Sequence, residues 1–303
     1  MKQTFYSNGK LLITGEYVVL DGAQALALPT KFGQNLIVEE GPSNTFEWVS
    51  YDRDGSVWFE ATFSFDDVVN KKKFEENKIK STLIEILHEG YLLNKEFLKG
   101  KLGYKVKTVL SFPKDWGLGT SSTLINNIAQ WLDIDAFTLL KNSFGGSGYD
   151  VACAQYNTPI VYQLINEEPQ IIQVNFDPHF ANQLYFVYLN KKQNSRAAIA
   201  NYYKKQENIQ EVIPFINELT QQVLKTNRME EFSKSLQLHE KEMSKILDTQ
   251  TVQENLFADF KGVVKSLGAW GGDFVLVVSK ENPLSYFRDK GYTVILSYKD
   301  MIL

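Results

Sequence analysis

Apolar and polar positions change period several times along the chain. Between residues 10 and 40 the runs LLIT and YVVL flank Gly15-Glu16 and predict strands, with Asp21-Gly22 as a turn. TFEWVSY and SVWFEATF alternate on either side of Asp52–Gly55, the pattern of a hairpin. The charge-rich stretch Lys71–Lys80 leads into a helix marked by Ile79, Leu83, Ile86, Leu87 and Tyr91. From Tyr104 to Phe112 the alternation puts Tyr104, Val106, Thr108 and Leu110 on one face of a strand, and helical periodicity follows over Leu124–Leu132. Asp133 or Asp135 caps a further helix containing Phe137, Leu139 and Leu140. Two strands are expected between Ile160 and Phe176 with a turn at Glu167-Glu168-Pro169, and another over Gln183–Leu189. The second half then reads as helices at roughly 195–206, 209–225, 228–247 and 252–267, Pro214 interrupting or starting one of them, before the strand-like FVLVVS. A boundary near residue 170 divides the chain into expected domains 1–170 and 171–303.

Three glycine-rich turns punctuate this pattern. FPKDWGLGTSST, residues 112–123, runs from a strand into a helix start. Gly117 and Gly119 allow a sharp turn and close approach of the backbone. Thr120, Ser121 and Ser122 stand where free N–H groups and the helix dipole suit an anion such as phosphate, or where a hydroxyl simply caps the first turn. No Gly-Lys-Ser/Thr closes the loop, so it is not the common P-loop. Gly145–Gly148 leads through Tyr149 and Asp150 into a helix of small residues, where Asp150 is a first-turn carboxylate or something more. Gly268–Asp273 turns into the last apolar strand, with Gly268 read as a helix stop. Glu16 lies between apolar runs, exposed at a bend or buried with a partner, and Lys10 follows the flexible Ser7-Asn8-Gly9.

Composition narrows the class. The net charge of −4, with both signs interspersed, argues against a nucleic-acid partner. Trp48, Trp58 and Phe59 lack the interleaved basic residues of a base-stacking platform. Cys153 is the one cysteine, which excludes an internal disulfide and suits a reducing compartment. His88, His179 and His239 do not form a zinc spacing. Neither a signal segment nor an apolar run long enough for a bilayer is present, so a cytoplasmic location and no membrane partner are expected.

Taken together, SNGKLLITGEYVVLDG at 7–22, FPKDWGLGTSST at 112–123 and GAWGGD at 268–273 resemble the three motifs of the GHMP kinases. That superfamily includes galactokinases, homoserine kinases, mevalonate kinases and phosphomevalonate kinases. Gly15-Glu16-Tyr17, the run Gly146–Ala152 and Gly271-Gly272-Asp273 are most similar to phosphomevalonate kinases, and Gly148-Tyr149-Asp150-Val151-Ala152 also resembles the signature of a bacterial GHMP kinase group. The resemblance implies an α+β fold of two domains, with ATP bound between them at an atypical glycine-rich phosphate loop. It implies ATP and Mg²⁺ as cofactors and a small-molecule substrate, phosphomevalonate or mevalonate, in a monomer or homodimer. By position, Asp150 corresponds to the catalytic aspartate that takes or orients the hydroxyl proton, and Lys10 to the lysine that stabilises the transferring charge. Gly117, Leu118, Gly119, Thr120, Ser121 and Ser122 correspond to the phosphate loop, with Ser121 also on the metal. Glu16, Tyr17, Gly148, Arg196, Gly271 and Gly272 are the candidate substrate contacts.

The chain departs from the family pattern at several places. Trp116 and Trp270 stand where smaller residues are usual, and Leu139 stands where many mevalonate kinases carry a metal-binding glutamate. These departures motivate two alternatives: a nucleotide-binding regulator that has lost catalysis, or a kinase for another alcohol such as a sugar or homoserine.

Overall fold

The computed structural model describes residues 2–100, 102–193, 195–204 and 209–303, with only the backbone of Ser195 and Arg196. The chain forms two compact units and passes between them more than once. The first contains Met1–Gly9, Phe32–Lys114 and Leu118–Gln155; the second contains Lys10–Lys31, Asp115–Gly117 and Tyr156–Leu303.

In the first unit, β1 (Gln3–Leu12) pairs with β2 (Ala25–Gly41), both of which continue into the second unit. The hairpin β3 (Thr45–Tyr51) and β4 (Val57–Ser64) forms as the alternation predicts, with Trp48 opposite Ala61. A capping box at Ser64 then opens α1 (Phe65–Val69), and Asn77 caps α2 (Lys78–Leu93). β5 (Gly103–Leu110) lies between β3, to which it is parallel, and β2, to which it is antiparallel. α3 (Thr120–Leu132), α4 (Ala136–Ser143) and α5 (Tyr149–Gln155) complete the unit. Of the two candidate caps, Asp135 accepts the Thr138 N–H, while Asp133 ends α3 in a left-handed conformation. Phe46, Trp48, Leu83, Leu87, Val106, Ile125 and Ile128 meet in one core between sheet and helices. Burying side chains of this size contributes about 1.5–3 kcal/mol each.

In the second unit, β6 (Ile160–Ile165) pairs with Ala25–Ala27 of β2 and with β7 (Glu168–Gln173). A second sheet has the order β11-β8-β10-β9, using β8 (Leu184–Tyr188), β9 (Val263–Ser266), β10 (Phe274–Val278) and β11 (Ile295–Ser297). Every residue of β10 is buried, as an unbroken apolar run requires. The helices among the described residues are α6 (Ser195–Lys204), α7 (Ile209–Lys225), α8 (Met229–Leu247), α9 (Val252–Leu256), α10 (Leu284–Asp289) and α11 (Tyr298–Met301). Pro214 sits inside α7.

Four local expectations need correction. YVVL is not a strand: Val18–Asp21 forms a 3₁₀ turn entered through Gly15 and Tyr17, both at positive φ, and closed by Gly22. The β6–β7 turn falls at Asn166-Glu167, both left-handed, so Glu168 and Pro169 belong to β7. Pro169 is tolerated because β7 ends its sheet. The helix expected over 252–267 stops at Leu256, and Val263–Ser266 instead pairs with β10. Gly268 consequently follows a strand rather than a helix, and Gly268–Asp273 joins β9 to β10.

Candidate active site

The glycine loop folds as its residues predict. After β5, a 3₁₀ turn at Lys114–Trp116 leads to Gly117 (φ 70°), Leu118 and Gly119 (φ 97°), and α3 starts at Thr120. Gly119 is the cap, and no side chain caps the helix. The first turn therefore presents its N–H groups without a local oxygen, a natural anion site. The Ser122 hydroxyl donates to Gly119 O at 2.9 Å, and Thr123 Oγ1 lies 2.9 Å from Gln34 Oε1, so both are tied into the scaffold. Ser121 is exposed, whereas Leu118 is fully buried. In the same unit, Gly148 (φ 90°) precedes α5, and Asp150 is half-buried in its first turn.

The second unit builds a polar cluster around Gly117. Lys10 Nζ donates to Gly117 O at 3.3 Å. The Asp273 carboxylate occupies the space above Gly117: a Cβ there would meet Asp273 Cγ at 2.3 Å. Asp273 is itself left-handed (φ 53°), and its Oδ1 accepts the Gln193 N–H at 3.1 Å. Its backbone N–H donates to Lys191 O at 2.7 Å and its carbonyl accepts from Leu189 N–H at 2.8 Å. Burial pushes the Asp273 carboxyl upward, against the Gln193 N–H and the charges of Lys10 and Lys192. Gly271 and Gly272 belong to this contact, since Cβ atoms on them would lie 2.8 Å from Gln193 Nε2 and 2.5 Å from Lys191 O. Trp116 is buried edge-to-face on Phe274, with ring centroids 5.4 Å apart.

Glu16 is buried with a partner. Lys265 Nζ donates to Glu16 Oε1 and, at 2.9 Å, to Ser266 O. Glu240 Oε1 accepts the Ser266 N–H at 3.1 Å, and its other oxygen lies 3.9 Å from Lys265 Nζ. Burial lifts the Glu16 carboxyl to about 7 despite Lys265, and lifts that of Glu240 as well. The Tyr17 hydroxyl accepts the Trp270 N–H at 3.1 Å, and its ring lies 5.5 Å from that of Tyr202. Arg196 is in the first turn of α6, and its side chain lies outside the described residues.

Sequence reasoning assigned no site role to Gln193, His239, Glu240 or Lys265, and Asp273 entered only as the end of the third glycine motif. One signal was available: a lone lysine in the otherwise strand-like VVKS implies a buried counter-charge. Among the described residues, no group of three or more His, Cys, Asp or Glu side chains is placed to hold a metal ion, and no helix is long and apolar enough to cross a membrane.

Neither a protein-family model nor a curated protein sequence matches the chain. Solved structures do. Mevalonate kinase from Methanococcus jannaschii matches with TM-score 0.71 at 16% identity, over 98% of this chain and 97% of that one. Phosphomevalonate kinase from Streptococcus pneumoniae, in complex with phosphomevalonate and AMPPNP, matches with TM-score 0.71 at 17% identity, over 97% and 99%. Galactokinase from Lactococcus lactis with galactose matches with TM-score 0.64 at 12% identity, over 95% and 88%. The chain has the α+β fold that these small-molecule kinases share.

Proposed function

We propose that the protein is an ATP-dependent kinase of the GHMP type, acting on the hydroxyl or phosphate of a small anionic metabolite. Phosphomevalonate is the first candidate and mevalonate the second. The observation that carries this reading is the whole-chain likeness to the Streptococcus kinase whose complex contains phosphomevalonate and AMPPNP. The uncapped N-terminus of α3 beyond two left-handed glycines supports it. In this reading the N–H groups of residues 117–122 receive the ATP phosphates. Asp150 takes or orients the substrate proton, and Lys10 balances charge on the transferred group.

The exposed Ser121 hydroxyl suits one position on Mg²⁺, whereas Ser122 is engaged with Gly119 O. The metal supplies charge neutralisation for the phosphates. Glu16 and Tyr17, both buried, would act on the substrate site indirectly rather than by contact: Glu16 holds Lys265 of β9, and Tyr17 holds the backbone N–H of Trp270 in the Gly268–Asp273 turn. The burial of Trp116 against Phe274 accounts for this large residue as packing, which removes one motive for a catalytically dead regulator. Assay of ADP release with mevalonate, phosphomevalonate, homoserine and galactose tests the proposal. ADP formed with one of them identifies the substrate, and none with any of them refutes the reading for these alcohols.

A further inference from the structure

Asp273 combines two features that a purely structural residue does not need. Its Oδ1 holds the loop after β8 by accepting the Gln193 N–H, a task that a neutral amide would perform equally well. Asparagine, like aspartate, tolerates the left-handed backbone found here. A half-buried carboxylate instead pays a desolvation penalty, which raises its pKa. Lys10 donates at 3.3 Å to the carbonyl of the same Gly117 over which this carboxylate lies, and its charge opposes that rise, whereas Lys192 Nζ lies 3.8 Å from Asp115 Oδ1. Tyr17 and Tyr188 are the other titratable groups that feel this carboxylate. Gly117 leaves the room it fills.

We infer that the Asp273 carboxylate is a built-in counter-anion for Lys10, with which an anionic substrate group has to compete. Asp273 is thus a positioning residue: it keeps the loop after β8 and the Lys10 ammonium gathered over Gly117 until a phosphate or carboxylate arrives. The inference deepens the kinase reading, since it takes the competing anion to be a substrate group.

Pyrophosphate binding, followed by titration calorimetry on the full chain, tests this without turnover. Asp273→Asn keeps an acceptor for the Gln193 N–H and removes the charge, so pyrophosphate should bind at least threefold tighter. Lys10→Met removes the competed-for cation and should weaken binding at least threefold, and in that background Asp273→Asn should no longer tighten it. A residue that only braces the loop would leave affinity unchanged or lower in Asp273→Asn, and either result overturns the inference. Should Asp273→Asn not fold, Lys10→Met decides: unchanged affinity overturns it. Failure to form ADP from any alcohol would end the kinase reading and leave this measurement standing.

Discussion

His239 Nε2 accepts the backbone N–H of Gly15 at 2.9 Å, across 224 positions of sequence. The same nitrogen lies 3.5 Å from Glu16 Oε2, and the imidazole is fully buried. Accepting at Nε2 puts the proton of the neutral ring on Nδ1. Burial, aided by the charge of Lys265, holds the ring well below its ordinary 6.5, so it is neutral in the fold. Gly15 itself is left-handed (φ 85°), and a Cβ there would meet Gln24 O at 2.6 Å, so the anchored position calls for glycine.

His239→Ala is expected to cost about 3–4 kcal/mol, from the lost packing and an unsatisfied buried N–H. Urea unfolding at pH 7.5 measures this. The wild-type contribution has a definite sign with pH. The unfolded ring titrates near 6.5 and the folded ring does not, so stability present above pH 6.5 falls as the solution is acidified. This acid-side loss should disappear in His239→Ala.

Glu16 pushes the other way. Its folded carboxyl titrates near 7 against an ordinary 4.5, so its stabilisation is complete below pH 4.5 and is lost as pH rises through 7. Glu16→Gln mimics the protonated acid at every pH. Relative to wild type it should gain stability between pH 4.5 and 8, by about 3 kcal/mol at most. Unfolding at pH 5, 6.5 and 8 reads the difference; a gap that does not change would contradict it.

These buried groups explain what the sequence revealed and what it hid. The β3–β4 hairpin was legible because Phe46, Trp48 and Ser50 alternate with half-exposed neighbours over a whole strand. The glycine turns were legible because Gly117, Gly119, Gly148 and Gly271 mark the positive φ that they adopt. YVVL misled because β-branched residues signal a strand, whereas Tyr17 at φ 61° breaks its start. The 252–267 segment misled because pairing of β9 with β10 overrides a helical spacing. Asp273 above Gly117 and Lys265 on Glu16 had no local signal that names the partner, since only tertiary folding joins those positions.

Asp150→Asn tests the proposed proton acceptor. The amide keeps the size of the side chain and removes its basicity. Turnover should fall by two or more orders of magnitude, the range of general acid–base groups, with KM for ATP nearly unchanged. Steady-state kinetics with saturating ATP distinguish this from a fold defect, and near-normal turnover would remove the assignment.

Ser121→Ala tests the exposed hydroxyl of the α3 first turn. Losing one oxygen ligand should raise the Mg²⁺ concentration needed for half-maximal activity several-fold, while KM for the alcohol substrate moves little. Ser122→Ala, which deletes the bond to Gly119 O, should act mainly on stability, by about 1 kcal/mol. Equal Mg²⁺ dependence in both variants would count against Ser121 as the ligand.

The last test concerns the anionic end of the substrate. Phosphomevalonate carries a phosphate and a carboxylate, so its site needs more positive charge than one for mevalonate. The segment Lys191-Lys192-Gln193-Asn194-Ser195-Arg196 follows β8 and enters α6, which begins at Ser195. Asp273 fixes the start of this segment through Lys191 O and the Gln193 N–H. If Arg196 contacts the phosphate, Arg196→Ala removes a charge-assisted bond and raises KM for phosphomevalonate about tenfold or more, corresponding to ~1.5–3 kcal/mol. KM for ATP should stay within twofold, because the nucleotide is assigned to residues 117–122. A solvated arginine predicts no change in either constant. Efficient use of mevalonate with none of phosphomevalonate would reassign the protein to the first phosphorylation, and Arg196→Ala should then affect only recognition of the carboxylate.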